Sequence, residues 1–379
     1  MIYNNKLKTL IENEYHKCTG CRACMNNCPM LQHYTDNPLE LLESLHEETY
    51  FDNTIDTFRM PFTCTNCGYC DHVCTYDVSL ESVFKTLKQE MVAKYGFPKS
   101  FGKTPLEFHQ NASFSHVFST TVENERSNKN KKSKKRIFLP GCSPSSHSPD
   151  TIKNVYAYLQ EHSDIDIFLK CCGNPTLSVG QNERYNTFNT SLSNDFEEMG
   201  VEEIVVLCMN CYRTLSEAYP HIKVLTLWEE MCEYGLPKYH FTDLPKFALH
   251  DPCPTRHFDQ IHSAVREILS QMNIDYEEFK FSKNKTVCCG SGAMLSLVYP
   301  ALADHHKLKR ALQTKQEHIL TYCQECTESL EQADKKTIHL LDLLFSGTQY
   351  DNWNQITQPT INKWLNRYKL KQIIDKDLK

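Results

Sequence analysis

Nineteen of the 379 residues are cysteine, and the spacing of these cysteines carries the chemistry. Cys18, Cys21, Cys24 and Cys28 follow C-x2-C-x2-C-x3-C and run into Pro29; Cys64, Cys67, Cys70 and Cys74 repeat that spacing and run into Thr75. Three thiolates two residues apart wrap a tight loop around one face of a [4Fe–4S] cube, and the fourth leaves on the next turn toward a second cube. This spacing predicts one cube on Cys18, Cys21, Cys24 and Cys74 and another on Cys64, Cys67, Cys70 and Cys28. The proline shapes the backbone after its cysteine and ligates nothing, so Thr75 leaves the ligand set whole. Structural zinc is the competing reading, but zinc sites usually pair two C-x2-C hooks across a longer gap.

The remaining cysteines belong to a unit that occurs twice. Cys142, the pair Cys171-Cys172 with Gly173, and Cys208 with Cys211 match Cys253, the pair Cys288-Cys289 with Gly290, and Cys323 with Cys326. The flanking residues match as well, as in EIVVLCMNC against HILTYCQEC, and the offset of the cysteines stays between 111 and 117 residues. A steady offset over several segments marks a duplication. Only Cys232 lies outside every motif, and a buried free thiol is its expected state.

Elements that would position these residues can be read from periodicity. Leu7, Leu10, Ile11 and Tyr15 make one helical stripe before the first run. Leu39, Leu41, Leu42 and Leu45 make another between the runs, and Leu80, Val83, Phe84 and Leu87 a third after them. In the duplicated part each motif cysteine closes a short apolar run: IFLPGC, DIFLKCC, IVVLC, FALHDPC, TVCC and HILTYC. These read as buried strands, alternating with amphipathic helices such as 151–160 and 260–272, which predicts open parallel sheets. Sites in such sheets lie beyond the carboxyl ends of the strands, so the five cysteines of each repeat should converge at one edge.

Together these residues resemble a known family. The pattern C-x28-CC-G-x34-C-x2-C followed by C-x34-CC-G-x32-C-x2-C resembles the duplicated cysteine-rich CCG domain in the catalytic subunit of heterodisulfide reductase. The N-terminal runs resemble the helical ferredoxin module that this enzyme carries on a separate chain. The whole resembles the form of heterodisulfide reductase in which the two are fused, ferredoxin module first. The same fusion is found in iron–sulfur subunits of glycolate oxidase, lactate-utilisation enzymes and anaerobic glycerol-3-phosphate dehydrogenase. The resemblance covers residues 10–345 and takes in eighteen of the nineteen cysteines. It implies a fold of class α + α/β: a helical two-cluster ferredoxin domain, then a duplicated α/β cysteine-rich domain.

The resemblance further implies two [4Fe–4S] cubes and one or two further clusters, of noncubane [4Fe–4S] type, in the repeats. Their ligands would be Cys142, Cys171, Cys172, Cys208 and Cys211, and Cys253, Cys288, Cys289, Cys323 and Cys326. Cys172 and Cys289 would supply the extra, catalytic thiolates; zinc or a conventional cluster is the alternative occupant of each repeat. His250, Asp251, Arg256 and His257 around Cys253, and His147 near Cys142, are weaker candidates for protonating a leaving thiolate. The implied activity is that of an iron–sulfur oxidoreductase subunit passing electrons from the cubes to a disulfide-type acceptor. Its alternative is a relay from an FAD-dependent 2-hydroxyacid or glycerol-3-phosphate dehydrogenase to quinone. A zinc-bearing scaffold without redox chemistry is the reading from a different class.

Composition sets bounds on partners and place. No G-x-G-x-x-G follows a strand, Gly290-Ser291-Gly292 being part of the second CC loop, so neither FAD nor NAD is expected on this chain. A flavoprotein (FAD) subunit is the expected partner, and past it would lie a quinone or membrane subunit. A net charge of −6 without a basic face argues against nucleic acid. No apolar run of membrane-spanning length occurs and MIYNNKLKTLIENEY has no signal-peptide core, so the expected place is the cytoplasm, or the inner membrane face through a partner. The expected division is 1–108 for the two-cube domain, 109–136 for a linker ending in a lysine run, 137–235 and 236–346 for the repeats, and 347–379 for a helical extension.

Overall fold

The structure is a computed structural model that describes residues 3–52, 54–119, 121–122, 135–241, 244–345 and 357–377. The N-terminal part is helical, and each predicted stripe lies on a helix. Helix Asn5–Lys17 buries Leu7 and Ile11, helix Pro38–His46 buries Leu41, Leu42 and Leu45, and helix Leu80–Tyr95 buries Leu80, Val83, Phe84 and Leu87. Asn4 and Asn37 cap the first two by accepting from the backbone N–H of Leu7 and Leu39. These stripes pack on one another and on the half-buried cysteines of both runs.

The duplicated part forms two sheets with the same strand order. The first contains β1 (Thr121–Val122), β2 (Arg136–Leu139), β3 (Asp166–Phe168), β4 (Glu203–Val206) and β5 (Lys223–Thr226). Their spatial order is β1-β3-β2-β4-β5, with β1 antiparallel and the others parallel. The second contains β6 (Phe247–His250), β7 (Tyr276–Glu278), β8 (His318–Thr321) and β9 (Lys336–His339), all parallel in the order β7-β6-β8-β9. Every residue of β4 and β6 is buried, as runs covered on both faces require.

Three expectations need correction. The TVCC segment forms no strand; the edge strand of the second sheet is β7, ten residues upstream of Cys288. Its sequence, YEE, is half exposed and polar, so no apolar run announces it. The stretch from 109 is not a linker where it is described, because helix Lys103–Phe114 continues through it and buries Gln110, Ala112 and Ser113. The rest of that stretch, 120 and 123–134 with most of its lysine run, lies outside the described residues, as does 346–356 at the start of the expected extension. Helix Thr360–Asp377 fills the described remainder of that extension. Cys232 is half-buried and its Sγ donates to the carbonyl of Ala264 at 3.5 Å. We propose 235/236 as the boundary between the repeats.

Candidate metal centres

The loops around the two runs bring their cysteines together in crossed sets. Cys18 ends the helix Asn5–Lys17 and Cys74 ends the helix Tyr69–Val73. Cys18, Cys21, Cys24 and Cys74, together with Cys70, line one cavity. Cys28, Cys64, Cys67 and Cys70 line a second, which also reaches Cys288 of the second repeat. Burial pushes the Cys24 thiol up to about 12, and the neighbouring thiols of Cys18, Cys21 and Cys74 act in the same direction. Burial likewise raises Cys28, with Cys67 the next cause. Thiols crowded this way ionise together only around a cation, and an all-sulfur set is what an iron–sulfur core takes. The residues present therefore fit the cubes.

The cysteines of each repeat gather beyond the carboxyl ends of their strands. Cys142 opens a helix after β2, Cys171-Cys172 follow β3, and Cys208 caps the helix Met209–Ala218 after β4. Cys323 caps the corresponding helix Gln324–Glu331 after β8. Cys142 Sγ and Cys171 Sγ lie 4.0 Å apart. The backbone N–H groups of Gly173 and Gly290 donate to the sulfurs of Cys171 and Cys288 at 3.4 and 3.3 Å. Gly141, at φ +91°, keeps the first site open, because a Cβ there would lie 2.6 Å from Cys208 Cβ and 3.2 Å from Cys211 Sγ. Both sulfur sets are closed on several sides by neighbouring thiols and fit a cluster by the same argument of donor chemistry.

The two repeats face each other across a cavity of about 200 Å³. Nine of the ten motif cysteines line it, Cys171 being the exception, with Arg213, Glu325, Asn210 and His109 among the other walls. The two-cube part closes one side. Lys88 Nζ donates to the carbonyl of Cys64 at 2.6 Å, to Asn66 Oδ1 at 2.9 Å and to the carbonyl of Ser178 at 3.3 Å, which ties the second cysteine loop to the first repeat. Arg256, fully buried, donates to the carbonyls of Cys67 at 3.0 Å and Thr286 at 2.6 Å, and also to that of Asn284. Gly292 meets the same loop at such close range that a Cβ would stand 2.5 Å from the Thr65 carbonyl oxygen.

The weaker candidates divide. Asp251 is held by Arg266 at 2.9 and 2.8 Å, by Tyr322 Oη at 2.7 Å and by the Lys283 N–H at 2.7 Å. Burial opposes its ionisation, but the Arg266 bonds prevail and hold it at about 2, so it keeps no proton to give. Arg256 is a clamp between loops and His257 is exposed on the surface. His147 lies near the buried His339, away from the lining of the large cavity. His250 is fully buried at the end of β6.

Three participants escape the sequence. A ring nitrogen of His109 clusters with the sulfurs of Cys142 and Cys171, its Nε2 being 3.9 Å from Cys171 Sγ. Arg367, from helix Thr360–Asp377, lies near the same two cysteines and donates to Ser113 Oγ at 3.0 Å. Arg310 stands beside Cys289, Cys326 and Cys288. None neighbours its cysteines in sequence, and no local pattern marks it.

Comparison with known proteins finds a match for each part of the chain. Residues 14–78 match the family described as a 4Fe-4S dicluster domain, and residues 137–216 and 247–331 each match the cysteine-rich CCG domain. One chain of the fumarate reductase (CoM/CoB) of Methanothermobacter marburgensis is 23% identical over 361 residues, covering 86% of this chain and 71% of that one. One chain of the dihydromethanophenazine:CoB–CoM heterodisulfide reductase of Methanosarcina acetivorans is 19% identical over 369 residues, covering 84% and 88%. The EtfAB:quinone oxidoreductase of Syntrophomonas wolfei is 22% identical over 169 residues, 40% of this chain and 22% of that one. Among the described residues no helix is long and apolar enough to cross a membrane. The chain thus carries a match to a 4Fe-4S dicluster domain followed by two matches to the cysteine-rich CCG domain, and over most of its length it is similar to iron–sulfur subunits of the heterodisulfide reductase type.

Proposed function

We propose that the chain is the subunit of an oxidoreductase complex in which electrons pass from two [4Fe–4S] cubes to a disulfide-type acceptor held between the repeats. The observation that carries this reading is the shared cavity: cysteines of both repeats line one space large enough for a small organic molecule. Cys18, Cys21, Cys24 and Cys74 would hold one cube and Cys28, Cys64, Cys67 and Cys70 the other. The five cysteines of each repeat would hold a noncubane [4Fe–4S] cluster, with Cys172 and Cys289 as the additional thiolates. When bound, these clusters supply one-electron transfer, and two such steps cleave a disulfide to two thiolates. The chain's own part is to align the carriers: Cys288 bounds the cavity of the second cube, so electrons would reach the second repeat first. A flavoprotein subunit would deliver them.

The test is anaerobic. Cluster-loaded protein is mixed with a reduced viologen dye and a panel of disulfides, including the CoB–CoM heterodisulfide. Disulfide-dependent oxidation of the dye is expected, and its absence from protein carrying all its iron rejects the disulfide acceptor. The likeness to a quinone oxidoreductase favours one second reading, in which the chain relays electrons between an FAD-linked dehydrogenase and quinone. A soluble quinone in the same assay would then replace the disulfide.

A further inference from the structure

The two repeats differ at one position of the same register. Leu139 of β2 pairs with Val206, and His250 of β6 pairs with Thr321. Val206 and Thr321 each stand two residues before the fourth motif cysteine, Cys208 or Cys323. Leu139 and His250 are thus equivalent, and the second repeat has an imidazole where the first has an aliphatic side chain.

The imidazole is set in a defined state. His250 is fully buried, with a ring nitrogen within 4.8 Å of the sulfurs of Cys289 and Cys326. Arg310 donates to His250 Nδ1 from Nε at 3.1 Å and from Nη2 at 2.9 Å. A guanidinium has no acceptor, so Nδ1 must offer its lone pair and the ring proton sits on Nε2. Nε2 has no hydrogen-bond partner among the described residues, although it is buried. A buried N–H without a partner is rare and costly, which argues for an acceptor that completes the site.

Arg310 points the same way. It is fully buried, lies 4.1 Å over the Phe279 ring and makes no ion pair among the described residues. The carboxylate that acts on it, Asp251, is already held by two bonds to Arg266. Its other anionic neighbours are Cys289, Cys326 and Cys288. A buried charge is tolerable only with a counter-charge, so this guanidinium belongs to a site that is anionic in the working protein.

We propose that the Arg310–His250 pair tunes the second CCG centre, His250 giving its Nε2–H to the centre's sulfurs and Arg310 supplying positive charge, so that this centre takes an electron more readily than it would without the pair. The inference rests on the second repeat holding an iron–sulfur cluster, as proposed above. Hydrogen bonds to cluster sulfurs and nearby cations stabilise the more negative, reduced form and raise the potential. The balance is simple: one electron leaves a reduced cube and enters the second centre, and His250 keeps its proton. His250 is a positioning residue, not a ligand, since its protonated Nε2 has no lone pair to offer.

The deciding experiment is a redox titration of the full, cluster-loaded chain followed by electron paramagnetic resonance. In His250→Leu, which installs the side chain of the first repeat, the reduction equilibrium of one CCG centre should fall about tenfold, or about 59 mV for a one-electron couple. The cubes and the other CCG centre should hold their values, and His250→Gln, whose amide can donate, should recover most of the loss. Unchanged or raised potentials in His250→Leu with full iron content overturn the proposal. Should that variant fail to fold or load, the parent protein decides. With 15N-labelled histidine and pulsed resonance, a weakly coupled ring nitrogen and a proton that exchanges in D2O are expected at that centre. A directly bound nitrogen, or no histidine coupling, overturns the proposal. Protein whose CCG repeats carry no iron overturns the cluster reading and this inference together, whereas iron present without histidine coupling removes only the inference.

Discussion

The two cysteine-rich repeats share a strand order and a five-cysteine frame, yet they are built into the molecule differently. The first is completed from outside itself: His109 comes from the helix Lys103–Phe114 and Arg367 from the helix Thr360–Asp377. The second carries its own imidazole and guanidinium, His250 and Arg310, bonded to each other. It is also the repeat against the cavity of Cys28, Cys64, Cys67 and Cys70, through Cys288, Arg256 and Gly292. Duplication copies the sulfur frame, whereas the surroundings, which set potential and access, come from whichever elements happen to pack there. The two copies thus need not do the same job.

Replacing the paired cysteines tests that division with the largest effect. Cys289→Ser should remove the normal resonance signals of the second centre and abolish dye oxidation by the acceptor, since hydroxyl oxygen is a poor donor to iron. Because the second repeat adjoins the cube, this change should also leave the first centre unreduced. Cys172→Ser should spare reduction of the second centre. Equal behaviour of the two variants would dissolve the comparison.

Loss of a cube comes next. Cys67→Ala should delete the cube beside the second repeat, and Cys21→Ala the more distant one, in each case leaving the CCG signals intact. Iron analysis is the check, and a Cys21→Ala protein without any iron would contradict the modular arrangement.

Arg256 sharpens the comparison through stability. Arg256→Met removes donors from three backbone carbonyls at the join between the second loop and the second repeat. At about 1–3 kcal/mol for each buried group left unsatisfied, partly relieved by water, a loss of about 3 kcal/mol is expected in denaturant unfolding. Arg367→Met should act on the first repeat alone, altering its resonance signals and leaving those of the second unchanged. Cys232→Ser should be the smallest change, within about 0.5 kcal/mol and silent in the spectra, because its half-buried thiol lies outside both cysteine frames and its bond to Ala264 is weak.

Much of this architecture is written locally. The spacing of Cys18 to Cys28 and of Cys64 to Cys74 prescribes loops of a definite shape, because short spans leave the backbone few ways to present three thiolates to one core. Leucine stripes such as Leu80, Val83, Phe84 and Leu87 specify helices by their period, and IVVL and FALH specify buried strands by unbroken apolarity. The repeat offset even made the matching sheets legible. The YEE strand and the helical course of 109–114 were not legible, since a polar edge strand and a helix with a weak stripe carry no strong period.

The spacing of the cysteines, and the elements that present them, follow from patterns over a few residues and so stand in the chain as written. What surrounds the sulfurs is settled by packing. His109 and Arg367 reach the first site from segments far away along the chain, and His250 becomes a buried donor only because Arg310, sixty residues on, occupies its other nitrogen. Such pairings depend on how helices and sheets pack, and packing energy is collective, so no local pattern of residue types can announce them.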